Sequence, residues 1–201
     1  MTIEKLLRPV FEKYVTLSDQ ELYAICESVE VHNYDRNMRV TDIGEVENNV
    51  YFVVKGLVRR YFYRQKDEVI MQFAKEGKLI CSFISFFGNK PSGEIVQTIE
   101  ASVLYAISRD SIEQLCQQFP RIQTLYSVIM KQAFLNSEAK AQEKLNLSAK
   151  ECFIKFMNEN SDLFRRVPQK HIASFLNIKP ETFSRLKHLL QKKTEVLAEG
   201  V

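Results

Sequence analysis

The chain has 201 residues, 45% of them hydrophobic and 26% charged, with a formal net charge of +3. That is enough apolar material for one large or two small domains with real cores. No apolar run is long enough to span a bilayer, and the opening MTIEKLLRPVFEKY carries charges throughout with no signal-peptide core, so a cytoplasmic protein with no membrane partner is expected.

The first forty residues read as helical. Ser18 and Glu21 have capping-box spacing, with Leu17 and Leu22 as a hydrophobic staple, which predicts a helix from about Asp19 to Ser28. From Asn49 the texture turns to strand. YFVVKGLVRRYFY is dense in aromatic and β-branched residues, and Lys55-Gly56 stands where a hairpin would turn. EVIMQFA, GEIVQTIEA and SVLYAIS supply further strands, joined by Glu76-Gly77-Lys78 and by the stretch from Gly88 to Gly93. Short strands at roughly even spacing predict a barrel or sandwich rather than a parallel sheet.

Ser108 is placed to cap a helix to about Phe119, and Pro120 starts another with no breaker until about Leu147. On this long helix Ile122, Leu125, Tyr126, Ile129 and Ala133 share one face, while Val128, Met130, Phe134 and Leu135 occupy others. A helix apolar on more than one side must be covered on more than one side. It is therefore expected to dock on the strand domain and to pair with a second copy, with Ile122, Leu125, Tyr126, Ile129 and Ala133 at the dimer interface. The alternative is a single central core helix. Ser148 then reads as the N-cap of a helix to about Asn160, with NENSD as a loop.

The cysteines, Cys26, Cys81, Cys116 and Cys152, form no C-x-x-C pair, and the histidines, His32, His171 and His188, form no metal-ligand spacing. No metal and no fixed cofactor are expected. The strand segment from Asn49 to Ser108 holds no histidine, which argues against a metalloenzyme on a cupin-like barrel and against an enzyme in general.

Charge is unevenly placed. From Leu147 to Val201 there are ten lysines and arginines against six acids; the preceding residues hold eighteen against nineteen. A basic C-terminal quarter is the footprint of a small nucleic-acid-binding module. Within it, VPQKHIASFLNIKPETFSRLKHLLQKK offers two helices, each opened by a proline in its first turn (Pro168, Pro180), with Leu176-Asn177-Ile178 as the turn between them. In the second helix Glu181, Ser184, Arg185 and His188 form a polar stripe, and Phe183, Leu186, Leu189 and Leu190 lie opposite; Ile172, Phe175 and Leu176 join the latter from the first helix. Arginine bonds guanine bidentately and glutamate accepts from cytosine, so the stripe suits base reading. Gln169, Lys170, Thr182, Lys187, Lys192 and Lys193 are placed for phosphate contacts. The alternative is an ordinary solvated face with a Glu181–Arg185 pair.

PQKHIASFLNIKPETFSRL resembles the helix-turn-helix of Crp–Fnr transcription regulators, particularly their short Bacteroidetes-type members, with base-reading positions on Glu181, Ser184 and Arg185. YFVVKGLVRRYFY resembles the family's barrel hairpin with Gly56 in its turn, and the helix from Pro120 its dimerisation helix. The resemblance implies an α+β chain. Residues 1–119 would form an effector-sensing double-stranded β-helix, a jelly-roll-like cyclic-nucleotide-binding-type barrel; residues 120–146 a long dimerisation helix; and residues 147–201 a C-terminal helix-turn-helix. It implies a homodimer on a palindromic double-stranded DNA operator, with RNA polymerase as a further partner.

Two departures stand out. Cyclic-AMP-binding members carry a Gly-Glu pair for ribose and an Arg-Ser pair for phosphate. Here Cys81-Ser82 and Ser92-Gly93 stand near those positions, so ordinary cyclic AMP binding is not expected. An unidentified small-molecule effector would meet Cys81, Ser82, Ser85 and Ser92. Only KKTEVLAEGV follows the recognition helix, so the β-wing is short or absent. A chain without DNA binding, acting as a ligand-sensing module through a protein partner, is the alternative function.

Overall fold

The computed structural model describes the backbone of residues 2–198, and the side chains of all of these except Lys144 and 190–198. The chain forms two compact units, residues 1–62 with 72–137, and residues 63–71 with 138–201.

The strands are β1 (Glu30–Tyr34), β2 (Arg39–Thr41), β3 (Asn49–Lys55), β4 (Leu57–Arg64), β5 (Asp67–Lys75), β6 (Leu79–Ile80), β7 (Ile95–Thr98) and β8 (Ser102–Ser108). They make two four-stranded sheets, ordered β1-β8-β3-β6 and β2-β7-β4-β5, in a jelly-roll-like arrangement. Consecutive strands β3 and β4 fall in different sheets, as do β7 and β8. The expected hairpin at Lys55-Gly56 is therefore corrected: Gly56 turns the chain from one sheet to the other. It sits at φ 97, and a Cβ there would lie 2.3 Å from Ser102 Oγ, so both the left-handed backbone and the close approach require glycine. The true hairpin is β4–β5, with Gln65 at φ 58 in its tip.

Alternation explains why β3 and β8 read as continuous apolar runs. Tyr51 and Val53 of β3, with Leu104 and Ala106 of β8, point into the core between the sheets, beside Val58, Ala74, Ile80, Phe86 and Val96. The intervening Phe52 and Tyr105 point the other way. They meet Leu7 of α1 (Ile3–Phe11), Leu22 and Ile25 of α2 (Asp19–Glu27), Leu115 of α4 (Arg109–Gln118), and Ile122 and Leu125 of α5 (Pro120–Asn146). Both faces are buried, so neither shows a polar period. The Ser18–Glu21 capping box is formed in full, and Ser108 accepts from the Ser111 N–H at 3.1 Å to cap α4.

Two elements depart from expectation. The region read as helical ends at α2, because β1 and β2 already lie within it. Their polar sequences, EVHNY and RVT, become strand through pairing, as in the β1–β8 register from Glu30↔Ala106 to Tyr34↔Ser102. A short helix, α3 (Phe83–Gly88), also interrupts the β6–β7 connection.

In the second unit, Ser148 and Glu151 complete a second capping box on α6 (Ala149–Glu159). The expected NENSD loop shrinks to Asn160, since α7 (Ser161–Arg166) follows at once. Then come α8 (Gln169–Phe175) and α9 (Pro180–Ala198). Ile70, Phe153, Phe156, Leu163, Val167, Ile172, Ala173, Phe183 and Leu186 of this unit are all buried.

Candidate functional site

The turn between α8 and α9 is built as its residues dictate. Asn177 adopts φ 54, the left-handed region that asparagine tolerates best among non-glycine residues. Its N–H donates to the Ser174 carbonyl at 3.0 Å, and the Ile178 N–H donates to the Ala173 carbonyl at 3.0 Å. Pro180 opens α9, where no intrahelical N–H is needed. Pro168 stands at the N-cap position of α8, one residue earlier than expected, with ψ 134.

An aromatic cluster fixes α9. The Phe183 ring meets Phe153 edge-on at 5.1 Å and stacks with Phe164 at 6.0 Å. With Phe183 held inward, Glu181, Ser184, Arg185 and His188 are all exposed on the first turns of the helix. Gln169 and Lys170 are exposed at the start of α8. Thr182 is half-buried, and so is Lys187, whose ammonium lies 5.6 Å from the Phe164 ring centroid. Leu189 was expected on the apolar side; at 56% exposed it faces out. The side chains of Lys192 and Lys193 lie outside the described residues.

The face assignment on α5 is corrected. Ile122 and Leu125 are 5% and 3% exposed and belong to the chain's own core, with Ile129 packed beside them and Tyr126 half-buried. Side chains already enclosed within one chain leave nothing for a second copy to cover. Ala133 is exposed, and so is every residue from Lys131 to Gln142. The bare apolar groups of α5 are Phe134, Leu135 and Leu145.

Inside the first unit, Cys81, Ser82, Ser85 and Ser92 are all buried, and the structure does bring Ser82 and Ser92 together. The Ser92 Oγ lies 2.8 Å from the Ser82 Oγ and accepts from the Glu94 N–H at 3.1 Å. The Ser82 hydroxyl donates to the Glu94 carboxylate at 3.3 Å. That carboxylate is held from the other side by Arg60 of β4, whose Nη1 lies 2.8 and 2.7 Å from its two oxygens. The Arg60 guanidinium lies 5.2 Å from the Phe83 ring, and its Nε is buried without a hydrogen-bond partner. Ser85 belongs to a different group. Its Oγ accepts from the Glu47 N–H at 2.9 Å, and the Glu47 carboxylate accepts from the Thr41 hydroxyl and from the Asn49 N–H. Burial pushes the Glu47 carboxyl above the usual carboxylate range, only partly offset by those hydrogen bonds. Burial likewise pushes the Cys81 thiol up, with the nearby Glu47 charge adding to the effect, so it is held as an unreactive thiol.

Arg60, Glu94 and Glu47 are absent from the sequence-based site. The Gly-Glu and Arg-Ser pairs are missing at their expected positions, yet an arginine and an acid do meet beside these serines. The arginine arrives from β4 and the acid stands two residues past Ser92. Arg60 in RRYFY, within β4, and Glu94 in GEIVQT, one residue before β7, were the available signals.

Residues 31–119 match the profile of the cyclic nucleotide-binding domain family. They contain the sandwich. Solved structures share the fold over most of the chain. The c-di-GMP-responsive global regulator CLP of Xanthomonas campestris is 18% identical, with 88% of this chain and 93% of that one covered and a TM-score of 0.69. FixK2 of Bradyrhizobium japonicum is 20% identical, over 83% of this chain and 86% of that one, with a TM-score of 0.68. The catabolite activator protein of Thermus thermophilus is 17% identical, over 92% of this chain and 88% of that one, with a TM-score of 0.56. No curated protein matches the sequence. Among the described residues no helix is long and apolar enough to cross a membrane, and no group of His, Cys, Asp and Glu is placed to hold a metal ion.

Proposed function

We propose that this chain is a homodimeric, sequence-specific DNA-binding transcription regulator of the Crp–Fnr type. Residues 1–119 would form its sensing domain, 120–146 its dimerisation helix and 147–201 its DNA-binding domain. The observation that carries the reading is the joint exposure of Glu181, Ser184 and Arg185 on the first turns of a helix whose opposite side is locked by Phe183. A recognition helix needs that arrangement, since side chains near its N-terminus must reach base edges in the major groove. Arg185 reads guanine, Glu181 accepts from cytosine, and Gln169, Lys170 and Thr182 set position on the phosphates. Dimerisation proceeds through the bare side of α5, around Phe134 and Leu135, rather than through Ile122 and Leu125.

In vitro selection from random duplexes tests the reading. The expected product is a palindrome with half-sites about one helical turn apart. Arg185→Ala should cost about 1–3 kcal/mol of specific binding and relax preference at one base pair of each half-site. Selection that yields no palindrome would sink the proposal. In that case a protein partner would be the remaining target of the exposed stripe.

A further inference from the structure

Within the second unit, the tip of the β4–β5 hairpin meets the outer side of α8, opposite Ile172 and Ala173, which face the core. Polar contacts make the junction. The Ser174 hydroxyl accepts from the Ile70 N–H at 3.1 Å and donates to the Glu68 carbonyl at 2.6 Å. His171, one turn earlier on the same side of α8, places Nε2 3.3 Å from the Glu68 carboxylate. β5 is the last strand of its sheet, so the Glu68 carbonyl and the Ile70 amide are the two groups a further strand would take. One serine hydroxyl, acting as donor and acceptor at once, takes that place. The His171 side chain is only 12% exposed, so its pairing with Glu68 is shielded from water.

We propose that Ser174 and His171 are positioning residues for DNA recognition. They seat α8 on the hairpin tip and thereby fix the direction in which α9 presents Glu181, Ser184 and Arg185. The contact side of α8 is not the side that bears Gln169 or the core, and the α9 stripe stays fully exposed beside it. The junction therefore orients the reading head without covering it. Backbone groups of the hairpin supply both partners of Ser174, so that part of the seat depends on the path of the strand rather than on its side chains. This proposal rests on the DNA-binding reading above.

The test compares full-length wild type with Ser174→Ala, Ser174→Thr and Glu68→Gln. Two measurements are made: amide hydrogen exchange at Ile70 without DNA, and affinity for operator duplexes whose half-site spacing is varied by one base pair either way. Ser174→Ala should speed exchange of the Ile70 amide about tenfold, since that N–H loses its acceptor. It should weaken binding at the selected spacing by about tenfold and flatten the preference among spacings, because a loosened head tolerates more geometries. Ser174→Thr, which keeps the hydroxyl, should restore both, and Glu68→Gln should flatten the spacing preference to a smaller degree. A merely structural role would lower affinity equally at every spacing. Unchanged Ile70 exchange in Ser174→Ala overturns the junction itself, and an unchanged spacing profile overturns its positioning role. If wild type binds no duplex at all, the DNA-binding reading fails and the positioning role falls with it, while Ile70 exchange still decides whether the junction exists.

Discussion

Replacing Glu94 by alanine would strand Arg60 inside the sandwich. The two side chains are 11% and 13% exposed, and Arg60 already has one buried nitrogen without a partner. With charge centres about 4 Å apart and an effective dielectric constant of about 20, their attraction is worth about 4 kcal/mol. Removing either partner leaves the other charge desolvated, and removing Glu94 also loses the Ser82 contact, so Glu94→Ala and Arg60→Ala should each cost about 3–5 kcal/mol. Replacing both by apolar residues of similar volume, Arg60→Met with Glu94→Leu, removes the stranded charge and should cost less than either single change. The chain contains no tryptophan, so urea unfolding is best followed by far-UV circular dichroism, with melting as a second probe. A loss of about 3 kcal/mol corresponds to roughly 6–12 °C at this size. A double variant as unstable as the sum of the two single changes would refute the reasoning, since it would mean that the pair is solvated and uncoupled.

Three further outcomes are expected. Gly56→Ala forces φ 97 on a residue with a Cβ and drives that atom to 2.7 Å from the Ala101 carbonyl, so it should destabilise the first unit by about 3 kcal/mol or more, read from the urea midpoint. Glu47 has a raised pKa in the folded protein, so the fold retains a proton that the unfolded chain has released; stability should fall as pH rises upward from the ordinary 4.5, and Glu47→Gln should flatten that decline in urea midpoints measured across the range. Phe183→Ala empties the centre of an aromatic cluster and should cost the second unit about 3–5 kcal/mol, exposing residues after 146 to limited proteolysis while the first unit keeps its melting transition.

The local chemistry of this protein was legible in its sequence wherever a single residue type has one good use. Ser18 and Ser148 cap helices, Asn177 takes the left-handed turn, Pro180 opens a helix and Pro120 opens the long one. The turn between α8 and α9 and the inward set of Phe183 were readable because near neighbours decide them. Reading failed where a neighbour distant in sequence decides. β1 is a strand because β8 lies beside it, and Gly56 is a corner because Ser102 crowds it. The wheel of α5 showed two apolar faces, but which one the chain buries depends on where Phe52 and Tyr105 point. The polar cluster was found only in part, because Arg60 reaches Glu94 from a strand more than thirty residues away.

The serine that closes the margin of β5 also bears on how the sandwich can be handled in isolation. Cutting the chain after α5 would remove Ser174 and bare the Glu68 carbonyl and Ile70 amide together. Two such fragments could zip margin to margin into one continuous sheet. A dimer seen in such a fragment would then report the cut alone.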